Sequence, residues 1–169
     1  MKKHWRIIVA LLFIFFLILM AIHFIMSFMP PDKDDMQDIF DRHKEDIFVV
    51  SSYLKDSDFE YVVIDKKSVE DGKMFTGAYT RYVDIADEKA VKSIRRLINS
   101  FDFVSIAKSG VTIYFEKWNW SEEERGIAYN TIDTSRLETD IEFLIQQEPL
   151  SENGWFYIVS DYNEWRNKR

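Results

Sequence analysis

The sequence predicts an α+β fold carried on a membrane anchor: an N-terminal transmembrane helix, then one domain with a mainly antiparallel sheet and about three helices. Three observations lead there. The first 31 residues contain no Asp or Glu, and an unbroken apolar run follows Arg6. Beyond it, segments with apolar residues at helical spacing alternate with segments of strand-like composition. The 138 residues from Asp32 to Arg169 also make a typical single domain with a core of its own.

The anchor is expected over Ile7 to Met29, after a cytoplasmic N-terminus of residues 1–6. Twenty-three residues at about 1.5 Å each give roughly 34 Å of helix, enough for a hydrocarbon core of about 30 Å. Only a helix satisfies its own backbone in lipid, and Pro30 and Pro31 end it. A cleaved signal peptide fits less well, because its apolar stretch is typically about 7–15 residues long and ends in small residues. Lys2, Lys3 and Arg6 precede the run, against Lys33 alone just after it, so the N-terminus is placed inside and the domain outside the cytoplasm.

Residues 30–35 form a short linker and residues 36–160 the domain, in the order αββαβββαβ. A helix begins near Asp34 or Asp35 and runs to about Leu54, with Met36, Phe40, His43, Ile47, Val50 and Leu54 on one stripe. Strands follow at Phe59 to Ile64 and Phe75 to Ile85. Asp87 opens a second helix, whose Val91, Ile94, Leu97 and Ile98 share a face, ending near Asn99. Phe103 to Ala107 and Val111 to Trp118 flank a turn at Lys108, Ser109 and Gly110. Gly126 to Thr131 adds a strand. Ser135 and Glu138 have capping-box spacing, and Leu137, Ile141, Leu144 and Ile145 complete a third helix that Pro149 ends. Trp155 to Val159 is the last strand, and residues 161–169 are a polar tail.

Composition narrows the function. Setting aside Lys2, Lys3 and Arg6 leaves 19 basic against 29 acidic residues, a net charge of −10. That argues against nucleic acid, which is bound by neutralising phosphates, and favours a protein or cationic peptide partner. The absence of cysteine excludes disulfides, thiolate metal sites and cysteine nucleophiles. No G-x-S-x-G, G-x-x-x-x-G-K-[ST] or H-E-x-x-H is present, so no catalytic residue and no cofactor is assigned. No metal site is assigned either. Asp32, Asp34 and Asp35, like Asp56, Asp58 and Glu60, lack the spacing of a calcium loop and read as helix caps and turns. His43 lies on an apolar stripe and reads as structural; His23, with Ser27 one turn further on, reads as neutral near the outer interface rather than as a polar contact to another transmembrane helix.

Aromatic density in the C-terminal half marks the candidate binding surface: Tyr114, Glu116, Trp118, Trp120, Trp155 and Tyr157. Alternation along Val111 to Trp118 places Val111, Ile113 and Phe115 on a core face, and Thr112, Tyr114, Glu116 and Trp118 on the other. The same rings would also suit a core between sheet and helices. Asn119, Trp120 and Ser121 match the N-glycosylation triplet.

The segments GVTIYFEKW, RGIAYN and EPLSENGWFYI resemble a group of small membrane-anchored or lipid-anchored proteins of Gram-positive bacteria without assigned function. The resemblance covers the last third and implies a surface location. The expected function is a non-enzymatic, extracytoplasmic binding module, accessory or protective. A carboxylate-dependent hydrolase of cell-envelope glycans and a structural subunit of a membrane complex are the alternatives.

Overall fold

The computed structural model describes residues 11–21, 29–77, 81–132, 137 and 141–167. The chain divides into two units, Met1–Pro30 and Pro31–Arg169. In the first, residues 11–21 are helical, and Leu11 to Met20 are exposed wherever they are large and apolar. Among the described residues no helix is long and apolar enough to cross a membrane, so the expected transmembrane helix Ile7 to Met29 is corrected to this shorter stretch. The rest of that run, residues 7–10 and 22–28 with His23 and Ser27, lies outside the described residues, as do residues 1–6.

The second unit begins with α1, Lys33–Lys55. Asp32 caps it: its Oδ1 accepts from the Asp35 backbone N–H at 3.0 Å, and its own N–H donates to Asp35 Oδ2 at 3.2 Å. The cap therefore stands inside the expected linker, and the helix starts slightly early. Met36, Phe40, Ile47, Val50 and Leu54 are fully buried on one side, as their spacing requires. At the far end the Lys108 ammonium donates to Leu54 O at 2.8 Å and, just beyond the helix, to Ser57 O at 3.0 Å, joining the Ser57 hydroxyl, which donates to Leu54 O at 2.7 Å.

Eight strands follow: β1 (Tyr61–Asp65), β2 (Lys73–Thr76), β3 (Arg81–Asp84), β4 (Ser105–Ser109), β5 (Thr112–Trp120), β6 (Glu123–Asn130), β7 (Leu144–Pro149) and β8 (Trp155–Asp161). They form one antiparallel sheet in the order β3-β2-β1-β4-β5-β6-β8-β7. Three more helices complete the described part: α2 (Lys66–Glu70), α3 (Glu88–Arg95) and α4 (Tyr162–Asn167). Asp87 caps α3 as expected, and its last turns widen into a π-helical segment, Arg96–Ser100.

The expected element order αββαβββαβ is corrected in four places. α2 stands between the first two strands, where no helix was expected, because Asp65 caps it by accepting from Ser68 N–H at 2.8 Å. The strand Phe75 to Ile85 is a hairpin, β2 and β3, because the chain turns at Gly77, whose φ of 59° suits glycine. The third helix is not formed at Leu144 and Ile145: both lie in β7, which pairs with β8. Ser135 and Glu138, its expected cap, lie outside the described residues. Pro149 is tolerated because β7 is an edge strand. Part of the tail also has structure, since β8 reaches Asp161 and α4 follows.

The two faces of the sheet differ. On the first, Val62, Ile64, Ile106, Ile113, Phe115, Ile127, Trp155, Tyr157 and Val159 join the α1 stripe and Ala90, Ile94 and Leu97 of the α3 segment in one core. Trp155 is its centre, with ring centroids 4.7 Å from Tyr129, 4.9 Å from Phe40 and 5.4 Å from Phe48. On the second face the covering is thinner. Ala128, Phe156 and Ile158 pack with Leu137, and Tyr114, Ile141 and Leu144 lie against them.

Candidate functional site

The site lies on this second face, and a β-bulge decides which residues reach it. From Thr112 to Glu116, β5 pairs regularly with β6, so Thr112, Tyr114 and Glu116 stand opposite Asn130, Ala128 and Gly126. The register then shifts, and Trp118 pairs with Arg125. Lys117 is the inserted residue. Its ammonium donates to Phe101 O at 2.5 Å and sits 5.4 Å above the Phe103 ring, on the helix side. Trp118 goes the same way and meets the Arg125 guanidinium at 6.0 Å. Asn119 returns to the second face, where its amide donates to Glu116 Oε1 at 2.8 Å.

The pairing of β6 with β8 brings Glu124 opposite Ser160. Glu116 and Glu124 thus share one face. Glu116 is buried, and its Oε2 accepts from Ser105 Oγ at 2.5 Å. Glu124 accepts from Ser160 Oγ at 3.3 Å. Among the described residues neither carboxylate has an ion-pair partner. Burial, followed by the Glu116 charge, raises Glu124 above its ordinary carboxylate pKa, against the lowering pull of the Ser160 bond.

Tyr114 supplies the third group. A Cβ placed on Gly126 would stand 2.4 Å from Tyr114 Cε2 and 2.3 Å from Phe115 O, so only glycine lets the ring cross β6 there. The Tyr114 hydroxyl is buried with no hydrogen-bond partner. Burial, then Glu116 and Glu124, holds this phenol well above its ordinary pKa. A buried hydroxyl without a partner costs about 1–3 kcal/mol, so its presence calls for a reason.

Tyr114, Glu124 and Ser160 belong to a pocket of about 470 Å3, with Ala107 and Ser109 of β4 on one side and Ile141, Glu142 and Phe143 on the other, and Glu116 is buried behind this lining. Phe143 holds a left-handed backbone, φ 59°, which costs a bulky residue roughly 1–3 kcal/mol. Its surroundings fix it there. Asp161 N–H donates to Phe143 O at 3.0 Å, and the ring lies edge-on to Tyr162 and Trp165 of α4, at 4.9 and 5.1 Å. The tail thus clamps one rim of the pocket.

Of the six residues singled out in the sequence, Tyr114 and Glu116 belong to this face. Trp118 is turned to the helix side by the bulge. Trp120 is exposed near the β5–β6 turn. Trp155 and Tyr157 are in the core, where Tyr157 Oη accepts from Arg125 Nη1 at 3.1 Å and donates to Pro31 O at 3.3 Å. Glu124, Ser105 and Ser160 were not identifiable from periodicity, because only the pairing of β4, β5, β6 and β8, segments distant in sequence, brings them to the face of Glu116.

His43 stacks on Phe101 at 3.8 Å, and burial, with Arg42 and Lys117 nearby, lowers its pKa. A larger, more open groove of about 950 Å3 runs along Phe48, Tyr53, Asp56 and Asp87. It has no unpartnered buried polar group, so the smaller pocket is the better candidate. Among the described residues no three acidic or histidine side chains come together as metal ligands.

No family, no characterised protein and no solved structure matches the chain. The resemblance expected from GVTIYFEKW, RGIAYN and EPLSENGWFYI finds no support in these comparisons.

Proposed function

We propose that the protein is a non-enzymatic binding module that works at a membrane, outside the cytoplasm, and receives its ligand on the second face of its sheet. One observation carries the reading: Tyr114, whose buried hydroxyl has no partner, lines a pocket on a thinly covered face together with Glu124, a carboxylate without an ion-pair partner among the described residues. Unsatisfied polar groups converging in a pocket mark a binding site. The large apolar side chains Leu11 to Met20 support association with a membrane, since a helix apolar all round needs lipid or protein around it.

Crosslinking on intact cells, followed by mass spectrometry, tests this. The wild-type chain is expected to yield a protein or envelope adduct that Ala107→Trp, which fills the pocket, removes. Recovery of monomer alone under several crosslinking conditions would contradict the proposal.

The raised Glu124 beside Glu116 supports a second reading, a hydrolase of cell-envelope glycans. Glu124 would give a proton to the leaving oxygen and Glu116 would act as base or nucleophile. Full-length protein releasing soluble fragments from purified cell walls, with Glu124→Gln inactive, is the expected outcome; no release by the wild type removes this reading.

A further inference from the structure

The pocket is acidic and aromatic together. Glu122, Glu124 and Glu142 line it, with Tyr61, Tyr114 and Phe143, and among the described residues no Lys or Arg does. Acidic side chains alone would signify little, because a solvated acidic patch needs no ligand. Tyr114 is the independent sign: its hydroxyl is buried and lacks a partner, and the residue belongs to the pocket lining. Glycine at 126 admits its ring over β6, two residues from Glu124 and opposite Glu116. Tyr114 and three carboxylates, Glu122, Glu124 and Glu142, thus share one lining with no cation among its described residues.

We infer that the pocket takes an alkylammonium group, carried either on a lysine side chain of a basic peptide or on a free polyamine. An ammonium is a compact charge with three donors and no acceptor. It can donate to Glu124 and the Tyr114 oxygen, with Glu122 and Glu142 close by in the lining, while its alkyl stem lies along the aromatic side chains. The net charge of −10 outside the N-terminal bases would draw such a ligand in. The inference rests on the binding-module reading and deepens it.

The full chain, in neutral detergent, is titrated with hexalysine, spermidine, a neutral glycine–serine peptide and calcium chloride, while the amide resonances of Gly126 and Ser160 are followed. A saturable shift with hexalysine or spermidine is expected, and whichever binds more tightly identifies the source of the amine. Glu124→Gln should weaken it at least about tenfold, the loss expected when one member of a desolvated charge pair is removed. Tyr114→Phe should weaken it less, and Asp56→Asn, in the open groove, should leave it unchanged.

No shift with either amine, a shift with calcium alone, or equal weakening by Glu124→Gln and Asp56→Asn would overturn the inference. An equal response to the neutral peptide would reject the ammonium while leaving the pocket as a binding site. If Ala107→Trp keeps its crosslinked partner on cells, the binding-face reading fails whatever the amines do.

Discussion

A carboxylate that burial disfavours in its charged form makes the folded chain hold protons more tightly than the unfolded one. Glu124 is such a group, raised first by burial and then by Glu116. Where it is protonated in both states, at the acid end, it costs nothing. As pH rises through the ordinary carboxylate range, the unfolded chain ionises first, so this group's contribution to stability falls and levels off above the folded pKa. Thermal denaturation between about pH 4 and about pH 8 is therefore expected to show Glu124→Gln more stable than wild type at neutral pH, with the difference shrinking toward acid. Trp155 is the opposite case. As the centre of the aromatic core it should cost about 3–5 kcal/mol on replacement by alanine, measured by urea unfolding. The two outcomes separate groups kept for a site from groups kept for the fold. Tyr114 and Glu116 were legible in the sequence, because alternation on β5 holds as far as Glu116. Trp118 was not, since one inserted residue reverses the face and nothing in KWNW announces it.

At the scale of elements, α1 and α3 were readable because each carries a caps-and-stripe pattern that agrees with its packing. The segment before β8 was misleading. Leu137, Ile141, Leu144 and Ile145 have helical spacing, yet Asn153 and Gly154 mark a hairpin turn, with Gly154 at φ 78° and Leu150 N–H donating to Trp155 O at 2.9 Å. Strand pairing with β8 outweighed the local period. The end of α1 depends on a long-range contact that no local pattern contains. Lys108 reaches from β4 to Leu54 O and Ser57 O, while burial lowers its pKa against Asp58 and Asp56. Lys108→Met keeps the stem but removes the bonds to Leu54 O and Ser57 O, leaving Leu54 O to Ser57, so a loss of about 1–3 kcal/mol in urea unfolding is expected. Hydrogen exchange should show the last turn of α1 opening first.

The whole molecule is asymmetric. One sheet face lies under two helices and holds the main core, and the other carries a smaller cluster beside an acidic pocket. Helices on one face of an antiparallel sheet are a common solution for an α+β domain, and the sequence showed that much. Which face would be left open depended on strand order and on the bulge, both set by pairing between distant segments. The excess of acid over base then becomes local, with unpaired carboxylates on the face available to a partner. The central claim is that this face, rather than the helical one, meets the ligand. Its most direct test is a photo-crosslinking residue placed at Tyr61, beside the pocket, and separately at Glu45, exposed on α1, in full-length protein on intact cells. Adducts from position 61 that fall away with Glu124→Gln, and none from position 45, are the expected result; adducts from position 45 alone, or equally from both, would contradict it.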